Sequence, residues 1–119
     1  MENNNLQEIV KKVIDSMSFS DINLEKARYI IQRVEEKASE MGVKAVVAVA
    51  NAGANIVAVE CMDESYIASY DIAVNKAYTV AALKMPTSAL KSLAAPGGEL
   101  YGIQFTNGGK IVIFGGGVP

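Results

Sequence analysis

Lys76 and Thr79 lie three residues apart in the run Ile72-Ala73-Val74-Asn75-Lys76-Ala77-Tyr78-Thr79. On a helix that spacing puts both side chains on roughly one face. A lysine there can pair with an anionic ligand group or a partner subunit's carboxylate, or it can simply snorkel to water from an exposed edge. Thr79 can add a hydroxyl donor, or bond back to its own helix. Cys61 is the single cysteine. As a thiolate it can ligate iron or act as a redox sensor, and as a thiol it can be a small buried apolar residue. Asp63 can bind a ligand or cap the helix that begins near residue 65. The Gly115-Gly116-Gly117 run lets a ligand approach the backbone and offers amides to an anion, or is a turn or a frayed terminus. Tyr66, Tyr70, Tyr78 and Tyr101 carry phenolic oxygens, which serve as metal ligands or as the wet ends of core and interface residues.

One residue type is missing: the chain has no histidine. That excludes Ser-His-Asp and Cys-His nucleophile arrangements and any imidazole metal ligand. No carboxylate cluster shows metal-ligand spacing, and one cysteine makes neither an internal disulfide nor a Cys-based zinc site. An enzyme in its own right therefore has the least support.

The elements that would position these residues follow from periodicity. Leu6, Ile9, Val10, Val13, Ile14 and Met17 form an apolar stripe, predicting an amphipathic helix within residues 1–20. A second helix is expected from Asn23, its N-cap, with Leu24, Ala27, Ile31, Val34, Ala38 and Met41 as its stripe and Gly42 closing it. The valine-rich run over residues 45–50, the turn Asn51-Ala52-Gly53-Ala54-Asn55 and the run over 56–61 predict a β-hairpin. A long alanine-rich helix spans 65–84 and ends before Pro86, and Thr87 caps a short helix through Leu93. Residues 100–106 read as a short extended segment, 107–109 as a turn and 110–114 as a strand. The order is α-α-β-β-α-α-β, an α+β layout with helices on an antiparallel sheet.

Composition narrows the classes further. The 119 residues fit one domain, 1–119, half of it apolar. A chain this small with so much apolar surface suggests burial between subunits, hence a homo-oligomer, at least a dimer. A net charge of −2 gives no electrostatic case for nucleic acid. No apolar run reaches the roughly 20 residues of a membrane helix. The polar, acidic N-terminus is unlike a signal peptide, so a cytoplasmic location is expected.

The run around Lys76, a Gly-centred hairpin ending in Cys61-Met62-Asp63, and Gly108-Gly109-Lys110-Ile111-Val112-Ile113-Phe114-Gly115-Gly116-Gly117-Val118-Pro119 occur in an order and spacing that resemble the GlcG/HbpS-like haem-binding family. That family also supplies the C-terminal domain of PduO-type cobalamin adenosyltransferases. The resemblance covers residues 24–119. It implies a profilin-like α/β/α sandwich on an antiparallel sheet, assembly into dimers or larger rings, and a small-molecule ligand, haem being typical. The candidate ligand-binding residues are Lys76 and Thr79, which match the family's Lys-Ala-x-Thr stretch, together with Cys61, Asp63, Gly115 and Gly116. With no histidine, the remaining candidate haem ligands are Cys61, a tyrosine or a methionine.

Three departures from the family pattern qualify this. Asn51 stands where the family has an acid. Cys61 stands where it has an arginine, removing a cation that could hold a propionate. The family also continues past Gly-Gly-Val-Pro with a further strand and helix, which this chain is expected to lack. The alternative implied is a non-catalytic structural or accessory module, linked to cobalamin-dependent diol metabolism, that has lost the ligand site.

Overall fold

The computed structural model describes Gln7 and residues 21–119. The helix expected within residues 1–20 lies, Gln7 aside, outside the described residues. Helix α1 spans Leu24–Glu40. Asn23 caps it: its backbone is extended and its side-chain Oδ1 accepts the Lys26 N–H at 2.8 Å. At the other end Gly42 takes φ +70°. Its N–H bonds Ser39 O at 3.1 Å while the Val43 N–H reaches back to Ala38 O at 2.8 Å, closing a Schellman motif. Of the expected stripe, Ala27, Ile31 and Ala38 are buried, whereas Leu24, Val34 and Met41 are exposed. The hairpin below covers only one flank of the helix.

Strands β1 (Val46–Ala50) and β2 (Ile56–Cys61) pair antiparallel, Val46 opposite Cys61 and Ala50 opposite Ile56, with a bulge between Val49 and Ala50. The turn is built on Asn51, whose Oδ1 accepts the N–H of Gly53 at 3.1 Å and of Asn55 at 3.0 Å. A carboxylate also reaches this turn, from Asp21, whose Oδ1 accepts the Ala52 N–H at 3.0 Å. The charge absent at Asn51 is thus supplied from across the chain.

Helix α2 spans Ile67–Leu83 and ends on Lys84, which takes the left-handed conformation at φ +56° and donates to Val80 O at 2.9 Å. Both long helices pack on the hairpin, with no close backbone approach between them. A two-stranded hairpin is marginal alone, so this helical cover is what makes it a sheet. A 3-10 turn, Thr87–Ala89, runs into the short α3, Leu90–Leu93, which buries Leu90 and is followed by the buried Ala94.

The fold is a small α+β domain with an antiparallel sheet. Among the described residues no helix is long and apolar enough to cross a membrane. Four local expectations change. Residues 100–106 are not extended; they contain the 3-10 turn Ile103–Phe105, because Gly102 at φ +92° turns the chain. Residues 110–114 form no strand, so the sheet among the described residues has two strands. In place of a ladder, the Lys110 carbonyl and the Val112 N–H meet the hydroxyl of Thr79 on α2. Thr87 is not a cap, since Pro86 holds that position and the Thr87 hydroxyl accepts from Gly117 N at 2.9 Å. Asp63 is not a cap either: Tyr66 precedes α2 and no side chain caps the helix.

Glu35 on α1 faces Glu60 on β2. Burial holds the Glu35 carboxyl above its usual value of 4.5, and the side-chain hydrogen bond with Glu60 and that residue's charge push it the same way. The folded state therefore binds this proton more tightly than the unfolded chain. The stabilisation is full below the usual carboxylate value and is lost as pH rises through the raised one. Glu35→Gln should raise the urea midpoint at neutral pH and flatten its decline between mildly acidic and neutral pH. A variant that tracks the parent at both pH values would contradict this.

Candidate functional site

The middle of α2 and the last ten residues of the chain form one construction. Thr79, fully buried, is its centre. Its hydroxyl accepts the Val112 N–H at 3.0 Å. Its own proton serves Asn75 O at 2.7 Å, one turn back, or Lys110 O at 3.0 Å. The hydroxyl thus does what the sequence allowed, bonding back to its helix, and also fastens a second segment. Eight residues on, the buried Thr87 repeats the device: its N–H donates to Gly117 O at 3.1 Å and its hydroxyl accepts the Gly117 N–H. Between these two fixings the chain from Lys110 to Gly117 lies against α2, with Ile111 buried beneath it.

Lys76 sits under the middle of that span. Its ammonium lies 4.7 Å from the centroid of the Phe114 ring. It also lies against Gly116, where a Cβ would meet Nζ at 2.6 Å, and Gly116 itself takes φ +125°. The backbone conformation is what favours glycine there, since the tip of the lysine can swing aside. No carboxylate pairs with Lys76 among the described residues; the ion pair of Lys37 with Glu40 at 3.6 Å lies elsewhere, on α1. Partial burial lowers the Lys76 pKa. The ring face offsets some of that desolvation by attracting the cation. Among the described residues the amides of Gly115 and Gly116 meet no acceptor. The result is a half-buried ammonium without a counter-charge, beside free backbone donors and a half-exposed aromatic ring. Chemically this is a receptor for an anion attached to something flat and apolar.

Four of the six expected residues, Lys76, Thr79, Gly115 and Gly116, come together here, Thr79 as the fastening. Cys61 and Asp63 do not join them: no hydrogen bond, ion pair or ring contact links either one to this group. Cys61, at the end of β2, is exposed and free, so the buried apolar role does not apply. Asp63 is exposed. Of the tyrosines, Tyr78 donates its hydroxyl to Asn107 Oδ1 at 2.9 Å, while Tyr66, Tyr70 and Tyr101 are exposed. Phe114 and Thr87 were not named as site residues from sequence, and Gly117 was named only within its glycine run. Phe114 read as part of a strand and Thr87 as a cap; only the glycine run marked the place. Among the described residues no group of three or more His, Cys, Asp or Glu side chains could hold a metal ion.

The family described as "Haem degrading protein HbpS-like" matches residues 22–119. The chain belongs to the HbpS-like family. This HbpS-like chain is 41% identical over 104 residues to an uncharacterised 15.0 kDa protein of the dhaT-dhaS intergenic region of Citrobacter freundii, covering 87% of this chain and 73% of that one. It superposes on the crystal structure of Klebsiella pneumoniae protein ORFY, of family DUF336, with TM-score 0.77 and 41% identity, over 82% of this chain and 67% of that one. It also superposes on the PduOC:heme complex, with TM-score 0.67 and 33% identity, over 68% of this chain and 59% of that one. The α+β fold expected for the HbpS-like chain and its kinship with the PduO C-terminal domain are therefore established.

Proposed function

We propose that this chain binds a tetrapyrrole of the haem type without imidazole ligation, receiving a carboxylate of the ligand at Lys76 and the Gly115–Gly116 backbone. The observation that carries this is the Lys76 ammonium, half-buried against Phe114 and Gly116 and without an acidic partner among the described residues. An unpaired ammonium drawn from water is costly, and a propionate would relieve that cost. Phe114, half-exposed over the lysine, offers a flat apolar face to a macrocycle. Haem binding by a related PduOC domain supports the reading. The cluster fits the acidic rim of such a ligand and holds no iron ligand of its own. A thiolate from Cys61, or one of the exposed phenols of Tyr66, Tyr70 and Tyr101, would have to supply that bond from elsewhere. Self-association, at least to a dimer, belongs to the same reading. It is supported by the exposed large apolar side chains of Ile67 at 98%, Tyr66 at 83% and Phe105 at 82%, which a partner could cover.

The test is a haemin titration followed by the Soret band, in buffer free of imidazole. Haemin should bind saturably, and its dimethyl ester, with both carboxylates masked, more weakly. Lys76→Ala should weaken haemin binding about tenfold, the size of one lost charge-assisted hydrogen bond. Lys37→Ala, whose side chain is 71% exposed, should leave it unchanged. Equal affinity of the two variants would remove Lys76 from the site. A second reading, an accessory module without a ligand, is favoured by one observation, the absence of histidine. It would be supported by a titration with no saturable Soret change.

A further inference from the structure

Asn107 stands outside the Lys76 cluster, in a turn that no functional reading has used. Among the asparagines of the described residues, Asn23, Asn51, Asn55 and Asn75 precede Leu, Ala, Ile and Lys, and only Asn107 precedes glycine. A following glycine puts no Cβ in the way of its own amide nitrogen. Asn107 and Gly108 are both exposed, in left-handed backbone at φ +52° and φ +66°. The turn is closed around them, by Gly109 N to Thr106 O at 2.9 Å and Lys110 N to Asn107 O at 3.2 Å. The Gly108 N–H itself bonds no protein acceptor.

The Asn107 side chain is held from both ends. Its Oδ1 accepts the Tyr78 hydroxyl at 2.9 Å, and its Nδ2 donates to Thr106 Oγ1 at 3.0 Å. A phenol donor on an amide oxygen draws electrons from Cγ and sits where negative charge develops when a nucleophile adds there.

We propose that Asn107-Gly108 is a self-modifying site, at which the Gly108 amide nitrogen displaces the Asn107 side-chain nitrogen. The Gly108 nitrogen gives its proton to solvent base and forms a bond to Asn107 Cγ. The Cγ–Nδ2 bond breaks, and ammonia leaves after taking a proton from solvent. Water then opens the five-membered imide, at Cγ to leave aspartate or at the main-chain carbonyl to leave isoaspartate. Nothing is oxidised or reduced. The product is a carboxylate three residues from Lys110, whose ammonium lies 5.1 Å from the Tyr78 ring centroid. The new charge therefore forms beside a cation at the first residue of the segment that Thr79 fastens.

The test incubates the whole folded chain at mildly alkaline pH and follows peptides by mass, with isoaspartate detected by enzymatic methyl transfer. Residue 107 should convert about tenfold faster than Asn51 or Asn55, with isoaspartate among its products. Tyr78→Phe, which keeps the ring, should slow conversion at 107 in the folded chain and leave the rate in urea unchanged. An intact Asn107 after the other asparagines have converted would overturn the proposal. So would a product that is aspartate alone, since direct hydrolysis gives no isoaspartate. A Tyr78→Phe chain that converts at the parental rate would refute the role of the phenol.

Discussion

Thr79→Val lowers the stability of the fold by about 1–3 kcal/mol, the penalty for a buried donor left without its acceptor. Valine has nearly the same shape, so little of that loss comes from packing. What disappears is the oxygen that accepts the Val112 N–H at 3.0 Å and donates to a carbonyl of Asn75 or Lys110. Asn75 O lies in the helix and has other ways to be satisfied. The Val112 amide has no other partner among the described residues. Thr79→Ser keeps the oxygen and should retain most of the stability. The measurement is the urea midpoint of parent, valine and serine forms, read at constant denaturant slope. A valine form as stable as the serine form would mean that the hydroxyl fastens nothing.

Gly117→Ala has an effect of the same order for a different reason. A Cβ there would lie 2.8 Å from Thr87 Cγ2 and 2.9 Å from Val80 Cγ1. Both neighbours are buried, so neither has room to withdraw. Overpacking of this kind costs about 1–3 kcal/mol, and any retreat of the chain stretches the paired bonds with Thr87. Gly115→Ala is the control, because its Cβ would meet only Ser88 Cβ at 3.7 Å, an ordinary contact. Thermal melts should therefore separate the two alanines clearly. Equal melting temperatures would show that Gly117 is not seated against α2.

Much of the local structure was legible in the residues. The Asn23 cap, the Gly42 stop, the hairpin around Asn51 and the long alanine helix all rest on short-range chemistry, and all are present. Residues 110–114 were misread for a physical reason. A β-branched apolar run bears the same pattern whether its backbone meets another strand or a single buried hydroxyl such as that of Thr79, and only the tertiary partner decides. The same limit hid Thr87, whose position after a proline looks like a cap until Gly117 arrives from thirty residues away. Lys76 and the glycines could be named as chemistry in advance. Their meeting could not, since it depends on where the chain after Lys110 is laid down. Cys61 was misjudged from the usual burial of free cysteine. It lies at the end of β2, with no further strand alongside it among the described residues.

The two threonines also determine how this region can change over generations. A segment held in a sheet is attached by backbone atoms common to every residue, so most substitutions leave the attachment alone. Here the Thr79 attachment rests on one hydroxyl, while the Thr87 attachment adds a hydroxyl to a backbone bond. One base change at Thr79 can release one end of the segment, and one at Thr87 can loosen the other, while leaving the hairpin and the long helices as they were. The covering over Lys76 can thus be tightened, loosened or lost independently of the scaffold, and relatives with one backbone could carry sites closed to different degrees.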